Sequence, residues 1–541
     1  MKFMQKSSSP GGEAAQRPRP SHRVPAFQAL FRRGRASLAA AWLGLAAGWT
    51  APSAWAVSVT RGPYLQQGTS NSMVVRWRTD EATESRVSYG LSADPWSGQA
   101  SNATVTTEHI VPLRGLEPNT KYFYAVGTSD LILAGGSDYY FTTAPLTPKP
   151  TRIWVLGDSG TAAIGYSDAY PVRDAYLSYT GARETDVWLM LGDNAYFYGT
   201  DVEYQAGVFD TYPTVLRRNP LWAVLGNHDA ASGEASPYLS IFSNPTNGEA
   251  GGVPSGTGKY FSFNYANIHF VCLDSELSDV APGGPMLAWL EQDLTANQQD
   301  WLIALWHRPP YSFGTHDSDD EYAMVLLRQN VVPILENHGV DLVLTGHSHD
   351  YERSYLLDGH YGYSYELQPT MIRDAGNGQP EDVGAYLKAG VGPVPHQGAI
   401  YVVAGSSGWI TPDYGAGQHP VMFLKERELG SLVIDVSSNR LEAKFLRETG
   451  AIDDHFTILK GTAPRPLEIA TFRATNDQVR VTWKSRAGQT YRVVQASSLE
   501  AHDWTPVSPD ITASGATTAW TNTRPVGVSQ AFYRVAEAPV D

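Results

Sequence analysis

Five short apolar runs, each ending in a cluster of hard-oxygen or imidazole donors, constrain this chain more than any other feature. Ile153 to Gly157 runs into Asp158, Val187 to Gly192 into Asp193, and Leu221 to Leu225 into Gly226-Asn227-His228-Asp229. Leu302 to Trp306 runs into His307, and Leu342 to Thr345 into Gly346-His347-Ser348-His349. Near-continuous apolar runs of this length read as strands buried on both faces. Helical stretches are expected near residues 168 to 180, 284 to 297 and 321 to 338, so strands alternate with helices as in α/β domains. Open α/β sheets bind ligands at the carboxyl ends of their strands, so all five clusters could converge on one site.

Each cluster alone has an ordinary explanation. Gly-Asp after a strand is commonly a turn or helix cap, and Gly-His-Ser-His could be an exposed loop. Five of them in order, each closing an apolar run, describe a metal site instead. Carboxylate, amide oxygen and imidazole suit iron, manganese or zinc, while the lack of thiolates argues against a structural zinc site. Glycines beside most of the donors let the backbone turn sharply and approach the ions.

With 541 residues the chain is too long for a single core and should form two or three domains. Residues 1–56 read as an export leader: basic side chains up to Arg35, an apolar run from Ala36 to Trp49, then Ala54-Trp55-Ala56, after which cleavage is expected. The run is too short for a bilayer span, so no stable membrane anchor remains after cleavage. Arg32-Arg33 leaves both Sec and twin-arginine export open. The destination is secreted, periplasmic or cell-surface. Residues 57–144 alternate β-rich runs (Met73 to Trp77, Arg86 to Tyr89, Thr104 to Val111, Lys121 to Val126, Asp138 to Thr142) with turns, which predicts a small antiparallel sandwich. A proline-bearing linker, Pro145 to Pro150, leads into the 151–460 domain. Residues 463–541 hold further strand candidates at Val479 to Trp483, Tyr491 to Val494 and Phe532 to Val535, a C-terminal β module of unassigned role.

The leader holds eight basic side chains against Glu13 alone, a net +7, so the remainder carries −22 against −15 for the whole chain. Such an acidic surface repels phosphate backbones, so no nucleic-acid partner is expected. The single cysteine, Cys272, lies in an apolar run, which excludes an intramolecular disulfide and suits a small buried hydrophobe. Nothing in the sequence sets an oligomeric state.

The segment Leu116-Glu-Pro-Asn-Thr-Lys-Tyr122-Phe-Tyr124, with Trp77 upstream, resembles a fibronectin type III domain, in which Trp77 fills the core and Tyr122 makes a corner hydrogen bond. The ordered motifs Gly-Asp-x-Gly, Gly-Asp-x-x-Tyr, Gly-Asn-His-Asp, a strand-end His and Gly-His-x-His resemble the metallophosphoesterase superfamily. Tyr196, three residues past Asp193, narrows the resemblance to purple acid phosphatases, and His347-Ser-His349-Asp-Tyr351-Glu352-Arg353 extends it. The resemblance implies a multidomain chain: an N-terminal β-sandwich, a central α/β/β/α metallophosphatase sandwich and the small C-terminal β module.

The resemblance also implies Fe(III) held by Asp158, Asp193, Tyr196 and His349, with Asp193 bridging to a divalent ion (Fe, Zn or Mn) held by Asn227, His307 and His347. It implies hydrolysis of a small phosphate monoester by metal-bound hydroxide, His228 and His316 facing the substrate and Asp229 supporting from behind. Phosphodiester hydrolysis at the same site, or an exported binding or adhesion protein with a structural metal centre, are the alternatives.

Overall fold

The computed structural model describes residues 57–537 except 383, 412–416, 462–468, 476, 486–489, 499–503, 516 and 524–529. The expected leader therefore lies outside the described residues. Strands Val59–Gln66, Ser72–Gly90, Gly98–Arg114, Lys121–Gly127 and Ile132–Thr142 follow. Met73 to Trp77 and Arg86 to Tyr89, expected as separate strands, are two halves of one long strand, and its partner is longer than Thr104 to Val111. Register breaks near Arg78, Thr83 and Ser85 divide the pairing. Residues 72–78 lie between Val59–Gln66 and residues 108–114, whereas residues 86–90 lie between residues 98–101 and Lys121–Gly127. Two leaves thus share two strands and enclose Val75, Trp77, Leu113, Tyr124 and Phe141. Trp77 is buried and stacks on His109 at 4.6 Å. The Tyr122 hydroxyl accepts from the Glu117 N–H at 3.0 Å, closing the corner.

Two seven-stranded sheets follow. In the first, Thr151–Leu156, Val187–Met190 and Leu221–Ala223 run parallel. Gly430–Ser437, Arg440–Arg447 and Ile452–Lys460 extend it antiparallel, and Tyr386–Lys388 closes its edge. In the second, Ile268–Cys272, Trp301–Leu305, Leu342–Thr345 and Ile400–Ala404 run parallel. Phe261–Tyr265 edges it on one side, Tyr351–Ser354 and Met422–Glu426 on the other. The five expected strands are divided between the two sheets of the expected α/β/β/α sandwich, three in the first and two in the second. Apolar content reports burial on both faces, which a central strand of either sheet satisfies.

Alternation explains the layering. Ile153 and Val155 point into the layer between the sheets with Leu189, Phe270, Ile303, Leu344 and Phe445. Their neighbours Trp154 and Leu156 point outward, packing with Val172 and Tyr176 of the helix Ala169–Thr180. On the second sheet, Leu302, Val343 and Tyr401 pack against Leu287 and Leu290 of Pro285–Ala296 and against Leu327 and Leu335. The order is helix, sheet, sheet, helix. The stretch expected as one helix over 321–338 is two, Tyr322–Asn330 and Val332–Asn337, because Pro333 has no N–H to continue the ladder. Cys272 is buried, and burial pushes its thiol well above the ordinary range.

Beyond Lys460, Gln478–Lys484 lies between Ile469–Ala474 and Thr517–Thr523, and Thr490–Ala496 pairs with Phe532–Glu537 and two short strands. Trp483, Tyr491, Val493 and Val535 fill the space between them.

Arg353 and Asp454 join the two sheets through the core. Their bidentate contacts measure 2.6 and 2.8 Å, and Tyr351 donates to the same carboxylate at 2.7 Å. Both charged groups are buried. Asp454→Ala leaves the guanidinium without its counter-charge, and we expect a loss of about 3–5 kcal/mol of stability, measured by denaturant unfolding.

Candidate metal centre

Strand ends of both sheets deliver the donors to one place. Asp158, Asp193 and Asn227 follow the three parallel strands of the first sheet; His307, His347 and His349 follow two strands of the second. Asp158, Asp193 and His347 hold positive φ of 57°, 51° and 69°, a conformation costly for residues with a side chain. Gly226 and Gly346 are needed for close approach. A Cβ on Gly226 would stand 2.2 Å from Asp193 Oδ1, and one on Gly346 2.4 Å from Asp158 Oδ2.

One half of the centre is anionic. The Tyr196 hydroxyl lies 3.3 Å from both Asp158 Oδ1 and His349 Nε2, and those two atoms are 3.5 Å apart. All three side chains are buried. Burial, with the nearby Asp193 and Asp158 carboxylates, pushes the Tyr196 phenol well above its ordinary range, so only a strongly polarising cation would ionise it. His349 is oriented by Thr411, whose hydroxyl pairs with its Nδ1 at 2.9 Å.

The other half is built of neutral donors. His307 Nδ1 donates to the Leu191 carbonyl at 2.9 Å, so its neutral ring presents Nε2 as a lone pair. That nitrogen faces Asn227 Oδ1 at 3.1 Å, His347 Nδ1 at 3.2 Å and Asp193 Oδ1 at 3.4 Å. His347 Nε2 donates to Glu321 at 3.2 Å, which leaves its Nδ1 as a lone pair too. With both rings neutral, four lone pairs face one another, an arrangement that a cation satisfies; without one, burial opposes a charge on His307 but the Asp193 and Asp158 carboxylates push its imidazole up to about 10, so that a proton takes the cation's place. Ligands about 2.0–2.2 Å from a first-row ion are separated by about 3 Å along an octahedral edge, close to the spacings in both halves. Asp193 joins the halves: donor atoms of Asp158, Asp193 and His307 lie within 4.8 Å of one another.

Around these seven stand groups able to meet a substrate. His228 donates from Nδ1 to the Phe197 carbonyl at 2.8 Å, and its Nε2 lies 3.8 Å from Asp193 Oδ2. His316 stacks on His347 with ring centroids 3.7 Å apart, and its Nδ1 donates to Glu321. Glu321 was not singled out from the sequence. Partial burial opposes its charge, but the hydrogen bonds from His316 and His347 hold its carboxyl below the ordinary range. It orients two histidines at once, as carboxylates behind metal-binding imidazoles do. Arg308 Nη1 lies 3.1 Å from His347 Nε2, yet it too donates to Glu321, at 2.9 Å, while its Nε meets both oxygens of Glu276. A carboxylate opening a helix five residues after His316 was the only sequence signal for Glu321.

Asp229 braces the loops from below. Its Oδ2 accepts from the Gly226 N–H (2.9 Å), the Asn194 N–H (3.2 Å) and the Asn194 amide (2.9 Å), and its Oδ1 from the Tyr204 hydroxyl (2.6 Å). Glycine and asparagine here flank Asn227 and Asp193 respectively, so one buried carboxylate fixes two donor loops.

A fold of two packed sheets whose strand ends carry this donor set defines a calcineurin-like metallophosphoesterase. A family model of the calcineurin-like phosphoesterase matches residues 151–351, and one of the purple acid phosphatase N-terminal domain matches residues 62–143. With both parts present in this order, the chain is similar to purple acid phosphatases. It is 29% identical to purple acid phosphatase 15 of Arabidopsis thaliana over 51% of this chain and 55% of that protein. To purple acid phosphatase 23 of the same plant it is 27% identical, over 59% and 80%. The matched stretch thus spans about half the length of the first relative and four-fifths of the second. A purple acid phosphatase from yellow lupin (Lupinus luteus) seeds shares the fold with a TM-score of 0.58 at 18% identity, covering 77% of this chain and 78% of that one. PhoD does so at 0.53 and 13%, covering 73% and 89%.

Asp229→Ala removes the acceptor of four donors at once. We expect about 3 kcal/mol lower stability and a reduced metal content, read by thermal unfolding and elemental analysis of one preparation.

Proposed function

We propose that this protein is an exported acid phosphatase that hydrolyses phosphate monoesters at a centre of Fe(III) and a divalent ion, Fe, Zn or Mn. The observation that carries this reading is the asymmetry of the donor set. Asp158 and Tyr196, with Asp193, offer the hard oxygen donors that a trivalent ion takes, and the His349 imidazole completes that half. Asn227, His307 and His347, sharing Asp193, offer the neutral donors that suit a divalent one. When bound, such a pair clamps phosphoryl oxygens and lowers the pKa of a water, so that hydroxide is available even in acid.

The chain's own residues supply the rest. His228, with Nδ1 held by the Phe197 carbonyl, turns Nε2 to a phosphate oxygen or the leaving alcohol and donates when doubly protonated. His316 is a second donor, its ring fixed against His347 and by Glu321. Glu321 and Arg308 hold His347 in place. Export is supported by the leader pattern in residues 1–56, and among the described residues no helix is long and apolar enough to cross a membrane. The substrate is a small phosphate ester, and the acidic surface disfavours nucleic acid.

Purified protein should show a visible band in the yellow-green with about one iron per chain, and Tyr196→Phe should lose the band. A colourless protein with two divalent ions would remove the ferric assignment. His228→Ala should lower kcat on 4-nitrophenyl phosphate roughly 100-fold while metal content stays the same, and an unchanged kcat would remove His228 as proton donor. Higher kcat/KM on bis(4-nitrophenyl) phosphate than on the monoester would identify a diesterase.

A further inference from the structure

The mouth of the centre is chemically lopsided. Along one side, rings follow one another in an arc. Phe197 lies 5.9 Å from His228 between centroids, His228 4.4 Å from Tyr196, and Tyr196 6.3 Å from His349. His349 lies 5.2 Å from Trp409, which stacks on Tyr166 at 5.0 Å. The opposite side, His316, Arg308 and Glu321, is polar. The positive charge of Arg308 is answered by Glu276 and Glu321, so it offers no surplus for a second phosphate.

The arc is buried at Tyr196 and open at both ends, but at the far end Tyr166, 42% exposed, already stacks on Trp409, whereas the near end adjoins His228. Phe197 is 44% exposed and Tyr198 64%. Phe197, whose ring lies beside that of His228, thus offers apolar ring surface next to a group expected to meet the leaving oxygen, and Tyr198 follows it on the same turn. That turn is rigid. The Glu203 carboxylate accepts from the N–H groups of Phe197 (2.7 Å), Tyr198 (3.1 Å) and Thr200 (2.8 Å), and Ser232 donates to the Tyr198 carbonyl. Next along the chain, Arg61 and Arg78 of the N-terminal domain clamp Asp201 at 2.7–2.9 Å. A turn fixed this firmly presents its rings without further ordering cost.

We infer that the substrate's organic group carries a planar ring that packs on Phe197 and Tyr198, next to the leaving oxygen that His228 meets. The inference rests on the phosphomonoesterase reading above and adds the class of ester. In the hydrolysis the phosphorus bond to the ring-bearing alcohol or phenol breaks, the water oxygen bonds to phosphorus, and a proton passes to the leaving oxygen. The ring then stays on the aromatic platform while phosphate departs. Both an aryl phosphate, with the ring on the leaving oxygen, and a nucleoside monophosphate, with the ring beyond a sugar, present this chemistry.

The test compares kcat/KM on two matched pairs, O-phosphotyrosine with O-phosphoserine and adenosine 5′-monophosphate with ribose 5-phosphate. Pairing wild type with variants cancels the intrinsic reactivity of each leaving group. Phe197→Ala should cost the ring-bearing member of at least one pair about three- to ten-fold more than its ringless counterpart, mainly through KM. Tyr198→Ala, at the more exposed position, should act in the same direction and keeps the test open if Phe197→Ala folds poorly. The pair that responds more tells where the ring sits. Equal losses within both pairs, or a larger selective effect from Tyr166→Ala at the far end of the arc, would overturn the inference and leave the phosphatase reading intact. Absence of hydrolysis of all four esters by metal-loaded wild type would overturn both.

Discussion

Everything near the centre of this protein is arranged around a repulsion. Asp158 and Asp193 are buried carboxylates, and the lone pairs of His307, His347 and Asn227 converge on the space beside them at about 3 Å. Left alone, such groups would be driven apart or protonated, because the interior cannot screen them. The fold prevents separation by strain and by packing: three donors at positive φ, glycines where no Cβ fits, and Asp229 pinning two loops from beneath. Preorganising like-charged ligands in this way transfers the cost of gathering them to folding, so that ions are met by a finished site.

The candidate site was largely legible in the sequence because five of its seven donors sit one or two residues beyond apolar runs, where period and composition can be read locally, while Tyr196 and His349 were legible only through the motifs that carry the family resemblance. All seven expected ligand residues, with His228 and His316, are brought together. Glu321 was not legible, since a glutamate at a helix start has an ordinary reading as a favourable charge at the helix dipole. Its partnership with His316 and His347 exists only once two loops have folded over each other.

The fold was less legible than the site. The helices over 169–180 and 285–296 followed from pattern, whereas the break at Val331 follows from Pro333 and is visible only if the proline is given weight over periodicity. The four strands between Met422 and Lys460 lie outside the donor-bearing runs, and Arg440–Arg447 alternates apolar with polar residues, so all four went unassigned although they extend both sheets. The long strand Ser72–Gly90 could not be told from two, because Asp80-Glu81-Ala82-Thr83-Glu84 reads as a turn and yet stays extended where the strand crosses from one leaf to the other.

The division of the donors between the two sheets has a thermodynamic consequence of its own. Asp158, Asp193 and Asn227 belong to one sheet, and His307, His347 and His349 to the other, so ions bound between them act as rivets across the seam that Arg353 and Asp454 also join deeper in the core. Ion occupancy and sheet cohesion are then linked quantities. Whatever loosens the seam releases the ions, and chelation loosens the seam, so amide protons along the strand ends should exchange faster in the stripped protein than in the loaded one.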